Sequence, residues 1–127
     1  MIPRPAPDFP AVHSRLRRIV EKYNGRGLSP NADNFQNYLL TGPKTETSLG
    51  REVWFGGVQT KKNYVSFHLM PVYAFPELLD GISPELKKRM QGKSCFNFRT
   101  VDENLFTELE ELVEAGYQRF RTANFIK

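Results

Sequence analysis

Apolar residues recur along the chain at two spacings, one typical of helices and one typical of strands. The first helix is predicted from Phe9 to Tyr23, because Asp8 can cap it and Pro10 suits its first turn. Its apolar positions recur at helical spacing: Val12, Leu16, Ile19, Val20 and Tyr23. This pattern predicts a helix with one buried side.

The longest helix is predicted near the end of the chain, after a cap at Asp102 or Thr100. Its apolar stripe should cover one side of a sheet and consists of Leu105, Phe106, Leu109, Leu112, Val113, Gly116, Tyr117 and Phe120. A short helix is predicted after the cap Ser83, with Pro84 at its first position and an end near Met90.

A β-hairpin is predicted between Glu52 and Pro71, where two aromatic and β-branched runs flank a short polar connection. A turn at Lys61 and Lys62 sets the register. The predicted apolar side pairs Val58 with Val65, Gly56 with Phe67, and Trp54 with Leu69. The predicted opposite side pairs Gln59 with Tyr64, Gly57 with Ser66, and Phe55 with His68.

Two further strands complete the predicted sheet, one from Asn34 to Leu40 and one from Lys93 to Arg99. Loops are predicted from Gly25 to Asn34 and from Thr45 to Gly50, where glycine, proline and polar residues interrupt the pattern. We therefore predict an α+β fold, with an antiparallel sheet of about four strands packed against helices on one face. A length of 127 residues indicates a single domain over residues 1–127.

Composition narrows the class of protein. No apolar run approaches the roughly 20 residues of a membrane span, and the segment from Met1 to Pro10 lacks the apolar stretch of a secretory signal. The single cysteine, Cys95, fits a reducing compartment. We therefore expect a cytoplasmic protein that does not engage membranes.

The net charge of +4 would suit a nucleic-acid binder, but the charges are segregated along the chain. Basic residues crowd the first segment of the chain: Arg15, Arg17, Arg18, Lys22 and Arg26. Acidic residues crowd the last: Glu103, Glu108, Glu110, Glu111 and Glu114. This arrangement indicates two solvated helix faces of opposite sign that lie near each other. It argues against a nucleic-acid-binding surface.

The sheet face turned away from the helices is the predicted site. It combines aromatic walls with hydrogen-bonding groups, as ligand pockets do. Its candidate ligand-binding residues are Phe55, Gln59, Tyr64, Ser66, His68, Cys95, Asn97 and Arg99. The alternative is a structural face that the first helix or a second subunit covers, and cover by a second subunit would make the protein a homodimer.

Catalysis receives weaker support from the sequence. His68 is the natural general base and Cys95 or Ser66 the natural nucleophile, but no acidic residue on the flanking strands is placed to orient the imidazole. His13 is expected to be solvated. The leading hypothesis is a non-enzymatic domain, without a cofactor, that binds a small molecule or a protein partner, and a thiol or histidine enzyme is an alternative.

Three segments resemble the YdhG-like domain family: 53–58 (VWFGGV), 63–68 (NYVSFH) and 92–98 (GKSCFNF). The resemblance spans roughly Phe35 to Arg121. It implies the fold described above, with glycine and core aromatic positions shared. The family includes a frataxin-like iron chaperone, so the resemblance also implies iron handling as an alternative function.

An iron site in this chain would use acidic residues of the last helix. Glu110 and Glu114 are the metal-ligand candidates, because residues four positions apart share a helix face. The positive net charge and the lysines and arginines within reach argue against this alternative, and a solvated helix face explains the same residues.

Overall fold

The computed structural model describes residues 8–44 and 49–126. Each of its two long helices begins at a side chain that caps it. Helix α1 (Phe9–Glu21) starts where the Asp8 carboxylate accepts a hydrogen bond from the Ala11 amide at 3.0 Å. Helix α4 (Glu103–Thr122) starts in the same way, with Asp102 accepting from the Leu105 amide at 3.2 Å. Both predicted helices and both caps are confirmed.

One antiparallel sheet of five strands, in the order β1-β2-β3-β4-β5, lies against these helices. The strands are β1 (Ser29–Asp33), β2 (Asn37–Gly42), β3 (Val53–Thr60), β4 (Val65–Leu69) and β5 (Cys95–Phe98). The predicted α+β class is confirmed, with one strand more than expected. None of the helices in residues 8–44 and 49–126 is long and apolar enough to cross a membrane.

Strand β1 is the added strand, and it occupies part of the segment predicted as a loop from Gly25 to Asn34. Its sequence SPNAD shows no alternation of apolar residues, because this edge strand is mostly exposed. It pairs with β2 through the backbone, with Pro30 opposite Leu40. Residues 45–48 of the loop predicted at Thr45 to Gly50 lie outside the described residues.

Short elements connect β4 to β5. They are α2 (Met70–Ala74), a 3₁₀ turn (Pro76–Leu79) and α3 (Pro84–Lys87). Ser83 caps α3 as predicted, accepting from the Leu86 amide at 3.1 Å. Helix α3 ends before Met90, because the following residues run beside β5 instead. The Asn97 amide donates to the Arg89 carbonyl at 2.8 Å, and the Gln91 amide to the Cys95 carbonyl at 2.9 Å.

Helices α1 and α4 bury one face of the sheet. The core side chains from the sheet include Phe67, Phe96 and Phe98, and the Phe98 ring meets the Phe106 ring of α4 edge-on at 4.9 Å. The oppositely charged faces of the two helices lie near each other, as predicted. Arg15 bridges Glu103 and Glu110, at 2.8 Å from each carboxylate.

The β3–β4 hairpin forms with a register that differs from the predicted one by two residues. Thr60 rather than Val58 pairs with Val65, because the connection holds four residues and closes with the Lys61 amide donating to the Tyr64 carbonyl at 2.8 Å. A shift of two residues keeps each side chain on its predicted side. Phe67 and Val65 therefore still point to the core, and Ser66 and His68 still point away from the helices.

A β-bulge in β3 reverses the predicted sides of Phe55 and Trp54. Leu40 lies opposite Gly56, but Thr41 lies opposite Trp54, so Phe55 is an extra residue on its strand. The Phe55 ring is fully buried, at 5.5 Å from Tyr23 and 5.9 Å from Tyr117 between ring centroids. The placement of Phe55 on the open face was therefore wrong, since the bulge turns it towards the helices.

Candidate functional site

Three strands bring most of the predicted site residues together on the face away from α1 and α4, here called the open face. Gln59, Ser66 and Asn97 form one row across β3, β4 and β5. His68 and Cys95 are opposite each other in the next row, beside Gly57. Because alternate residues of a strand share a face, Tyr64 and Arg99 continue this surface past the strand ends.

The closest chemical pair on the open face is His68 and Cys95. The His68 Nδ1 atom lies 3.0 Å from the Cys95 Sγ atom, as expected for directly opposed cross-strand residues. Burial, and secondarily the charge of Lys61, lowers the pKa of His68 below its ordinary 6.5. The imidazole is therefore neutral at pH 7, and its Nδ1 atom is able to accept the thiol proton.

Trp54 takes the aromatic place on the open face that was predicted for Phe55. Its side chain is 42% exposed, and its ring meets the His68 ring edge-on, with 6.4 Å between centroids. The sequence alternation placed Trp54 in the core, because a bulge cannot be recognised from alternation alone. Two glycines in a row after Trp54-Phe55 are the only local signal of an irregular strand.

A cleft of about 320 Å³ lies at the β5 edge of the open face. We call it the Tyr64 cleft, and its lining residues are Tyr64, Lys88, Arg89, Met90, Gln91, Asn97 and Arg99. Three of these were predicted site residues: Tyr64, Asn97 and Arg99. The segment 88–91 was not predicted to contribute, because its pairing beside β5 depends on backbone hydrogen bonds that no side-chain pattern reveals.

The Tyr64 cleft is cationic and holds a polar atom without a partner. Lys88, Arg89 and Arg99 line it, no acidic side chain does, and none of the three forms an ion pair within the described residues. The Asn97 side-chain amide donates to Gln91 Oε1 at 2.6 Å. Its Oδ1 atom is buried and has no hydrogen-bond partner in the described part of the chain.

His13 is buried, not solvated as predicted. Only 5% of it is exposed, and its Nδ1 atom lies 3.0 Å from the Thr60 hydroxyl at the end of β3. Burial, and secondarily the charge of Arg17, lowers the pKa of His13. This histidine is on the helix side of the sheet and does not belong to the open face.

The carboxylates proposed as metal ligands are engaged by other side chains. Glu110 accepts from Arg15 at 2.8 Å and lies 3.8 Å from Lys22. Glu114 accepts from the Tyr23 hydroxyl, and this hydrogen bond is the main cause that lowers the pKa of the carboxyl group. Among residues 8–44 and 49–126, no three His, Cys, Asp or Glu side chains are arranged to hold a metal ion.

Comparisons with known proteins identify no relative of this chain. No protein-family model matches the chain, and no curated protein or solved structure matches it either. The resemblance to the YdhG-like family therefore stays a prediction, and the chemistry of the open face is the basis for assigning a function.

Proposed function

We propose that this protein is a non-enzymatic binding domain whose Tyr64 cleft takes a small anionic molecule that also carries a hydrogen-bond donor. The observation that supports this most directly is the buried Oδ1 atom of Asn97, which has no hydrogen-bond partner among the described residues. Asn97 lines the cleft together with three cationic side chains that form no ion pair with those residues. A buried acceptor without a partner destabilises the folded state, and a ligand donor offsets that penalty.

Charge supports an anionic ligand. Arg89 and Arg99 are exposed donors that suit the planar geometry of carboxylate or phosphate groups, and Lys88 adds a third positive charge. The ring of Tyr64 supplies the wall against which the uncharged part of a ligand packs. The volume of about 320 Å³ is at the small end of ligand pockets, which favours a metabolite over a larger molecule.

Glycerol 3-phosphate is a suitable probe, because it joins a phosphate to hydroxyl donors, and glycerol is its neutral counterpart. We expect glycerol 3-phosphate to shift the backbone amide resonances of Asn97 and Gln91 in a saturable titration followed by NMR, and glycerol not to. Arg99→Ala should weaken binding by about tenfold or more, since hydrogen bonds to charged groups contribute about 1.5–3 kcal/mol.

The matched control is Arg121→Ala, which removes the same charge from an exposed position on α4. It should leave binding unchanged. Equal weakening by Arg99→Ala and Arg121→Ala would show a nonspecific charge effect and contradict the proposal. Absence of any saturable shift at millimolar glycerol 3-phosphate or inorganic phosphate would also contradict it.

A second candidate function follows from the 3.0 Å contact between His68 Nδ1 and Cys95 Sγ. As Cys95 Sγ attacks an electrophile, His68 Nδ1 accepts the thiol proton, and the new bond to sulfur forms while the leaving group departs. Trp54 flanks the pair as an aromatic wall. This arrangement supports a thiol-dependent activity on the same open face.

Iodoacetamide tests the second candidate. In the folded protein near neutral pH, Cys95 should displace iodide at least about tenfold faster than in His68→Gln, because general-base help is lost in that variant. His13→Gln is the matched control, since His13 is buried elsewhere. Slow labelling of the unaltered protein, or equal rates in both variants, would exclude the activity.

A further inference from the structure

A second cavity adjoins segment 88–91, which also lines the Tyr64 cleft, but its walls are chemically different. It measures about 650 Å³ and lies between α2, the 3₁₀ turn and the turn that leads into β5. We call it the Tyr73 groove, and its lining residues are Val72, Tyr73, Pro76, Leu79, Lys87, Met90, Gly92 and Lys93. Met90 borders both cavities.

The walls of the Tyr73 groove are apolar, although the groove is open to solvent. Val72 is buried at its base, and Leu79 and Met90 are half-buried along its sides. Tyr73 is 55% exposed, which makes it one of the few large apolar side chains on the surface. Apolar walls exposed to water favour an apolar occupant, because its binding removes both surfaces from water.

The charged side chains among the described residues of the Tyr73 groove are both positive. Lys87 and Lys93 are exposed, and neither forms an ion pair with any residue in the described ranges. In the part of the chain that the structure describes, no acidic side chain lines the groove. An occupant that is apolar throughout would leave both charges unused, and a cationic occupant would be repelled.

We propose that the Tyr73 groove binds an amphipathic carboxylate, a molecule with an alkyl body and one anionic head. The alkyl body packs against Val72, Leu79 and Met90, and the carboxylate lies towards Lys87 and Lys93. A volume of about 650 Å³ is within the range of pockets that enclose small organic ligands. The charge complementarity of the rim selects an anionic head over a cationic one.

Octanoate and octylammonium test this proposal, because they share an alkyl chain and differ in the charge of the head. In an NMR titration, octanoate should shift the amide resonances of Tyr73 and Gly92 in a saturable manner. Octylammonium should bind about tenfold more weakly or not at all. Arg99→Ala should retain octanoate binding, since Arg99 lines the Tyr64 cleft and not this groove.

Charge reversal locates the head group. The double variant Lys87→Glu, Lys93→Glu should weaken octanoate binding by about tenfold or more. The matched control reverses Lys61 and Lys62 at the exposed tip of the β3–β4 hairpin, and it should leave binding unchanged.

Three results would overturn the proposal. The first is equal binding of octanoate and octylammonium, and the second is equal weakening by the two double variants. The third is a dimer in sedimentation velocity that Tyr73→Asp dissociates, which would assign the groove to a second copy of this chain.

Discussion

The bulge at Phe55 can be tested by mutation, because a bulged β3 and a regular β3 predict different effects of substitutions at Trp54 and Phe55. In a regular β3, Trp54 would be in the core and Phe55 on the open face. In the structure the Phe55 side chain is fully buried, and Trp54 is 42% exposed. Phe55→Ala should therefore destabilise the protein much more than Trp54→Ala does.

The magnitude follows from what each ring contacts. Truncating a buried phenylalanine to alanine typically costs about 3–5 kcal/mol, as transfer and cavity terms together. Phe55 has three ring neighbours, because Phe120 lies 6.2 Å away in addition to Tyr23 and Tyr117, so we expect about 4 kcal/mol. Trp54→Ala should cost only about 1 kcal/mol, since nearly half of its surface is already in water.

Urea denaturation followed by circular dichroism measures both variants without relying on the single tryptophan. The free energy of unfolding should fall by the amounts given above, with an unchanged dependence on urea concentration. The melting temperature of Phe55→Ala should fall by on the order of 15 °C. Equal losses in the two variants, or a larger loss for Trp54→Ala, would refute the bulge and restore the regular alternation.

Two further predictions concern a glycine of the sheet and the two histidines of the chain. Gly57→Ala should destabilise the protein by about 1–3 kcal/mol in the same urea assay, because a Cβ atom at this position overlaps the backbone of β2. Gly81→Ala is the control and should be nearly neutral, since a Cβ atom at Gly81 meets no neighbour within 4 Å. Similar losses in the two variants would contradict the β2–β3 packing. The pKa values of His13 and His68 are lowered from 6.5, so the unfolded chain binds more protons below pH 6.5 and stability should fall as the pH drops below that value. Replacing both histidines with glutamine should reduce the change in melting temperature between pH 7.5 and 5. An unchanged dependence of the melting temperature on pH would contradict the lowered pKa values.

The candidate site was partly predictable from the sequence. Alternation along β4 and β5 placed Ser66, His68, Cys95 and Asn97 on one face, and a register error of two residues left that placement intact. The contact between His68 and Cys95 was not predictable, because it depends on which residue of β4 lies opposite which residue of β5. The cationic side of the Tyr64 cleft was missed for a related reason, since segment 88–91 was assigned to the end of a helix.

The sequence by itself determined the local features of this protein. The caps at Asp8, Ser83 and Asp102 and the apolar stripes of α1 and α4 depend on residues within a turn or two, so they can be recognised without the rest of the chain.

Only the tertiary structure decided the features that depend on distant partners. Strand β1 has no apolar alternation and is a strand because β2 offers it backbone hydrogen bonds. Phe55 leaves the alternation of β3 because the rings of Tyr23, just after α1, and Tyr117, in α4, lie against it on the helix side, and both are remote in sequence. Packing of this kind is a property of the assembled core, and a strand's own residues do not encode it.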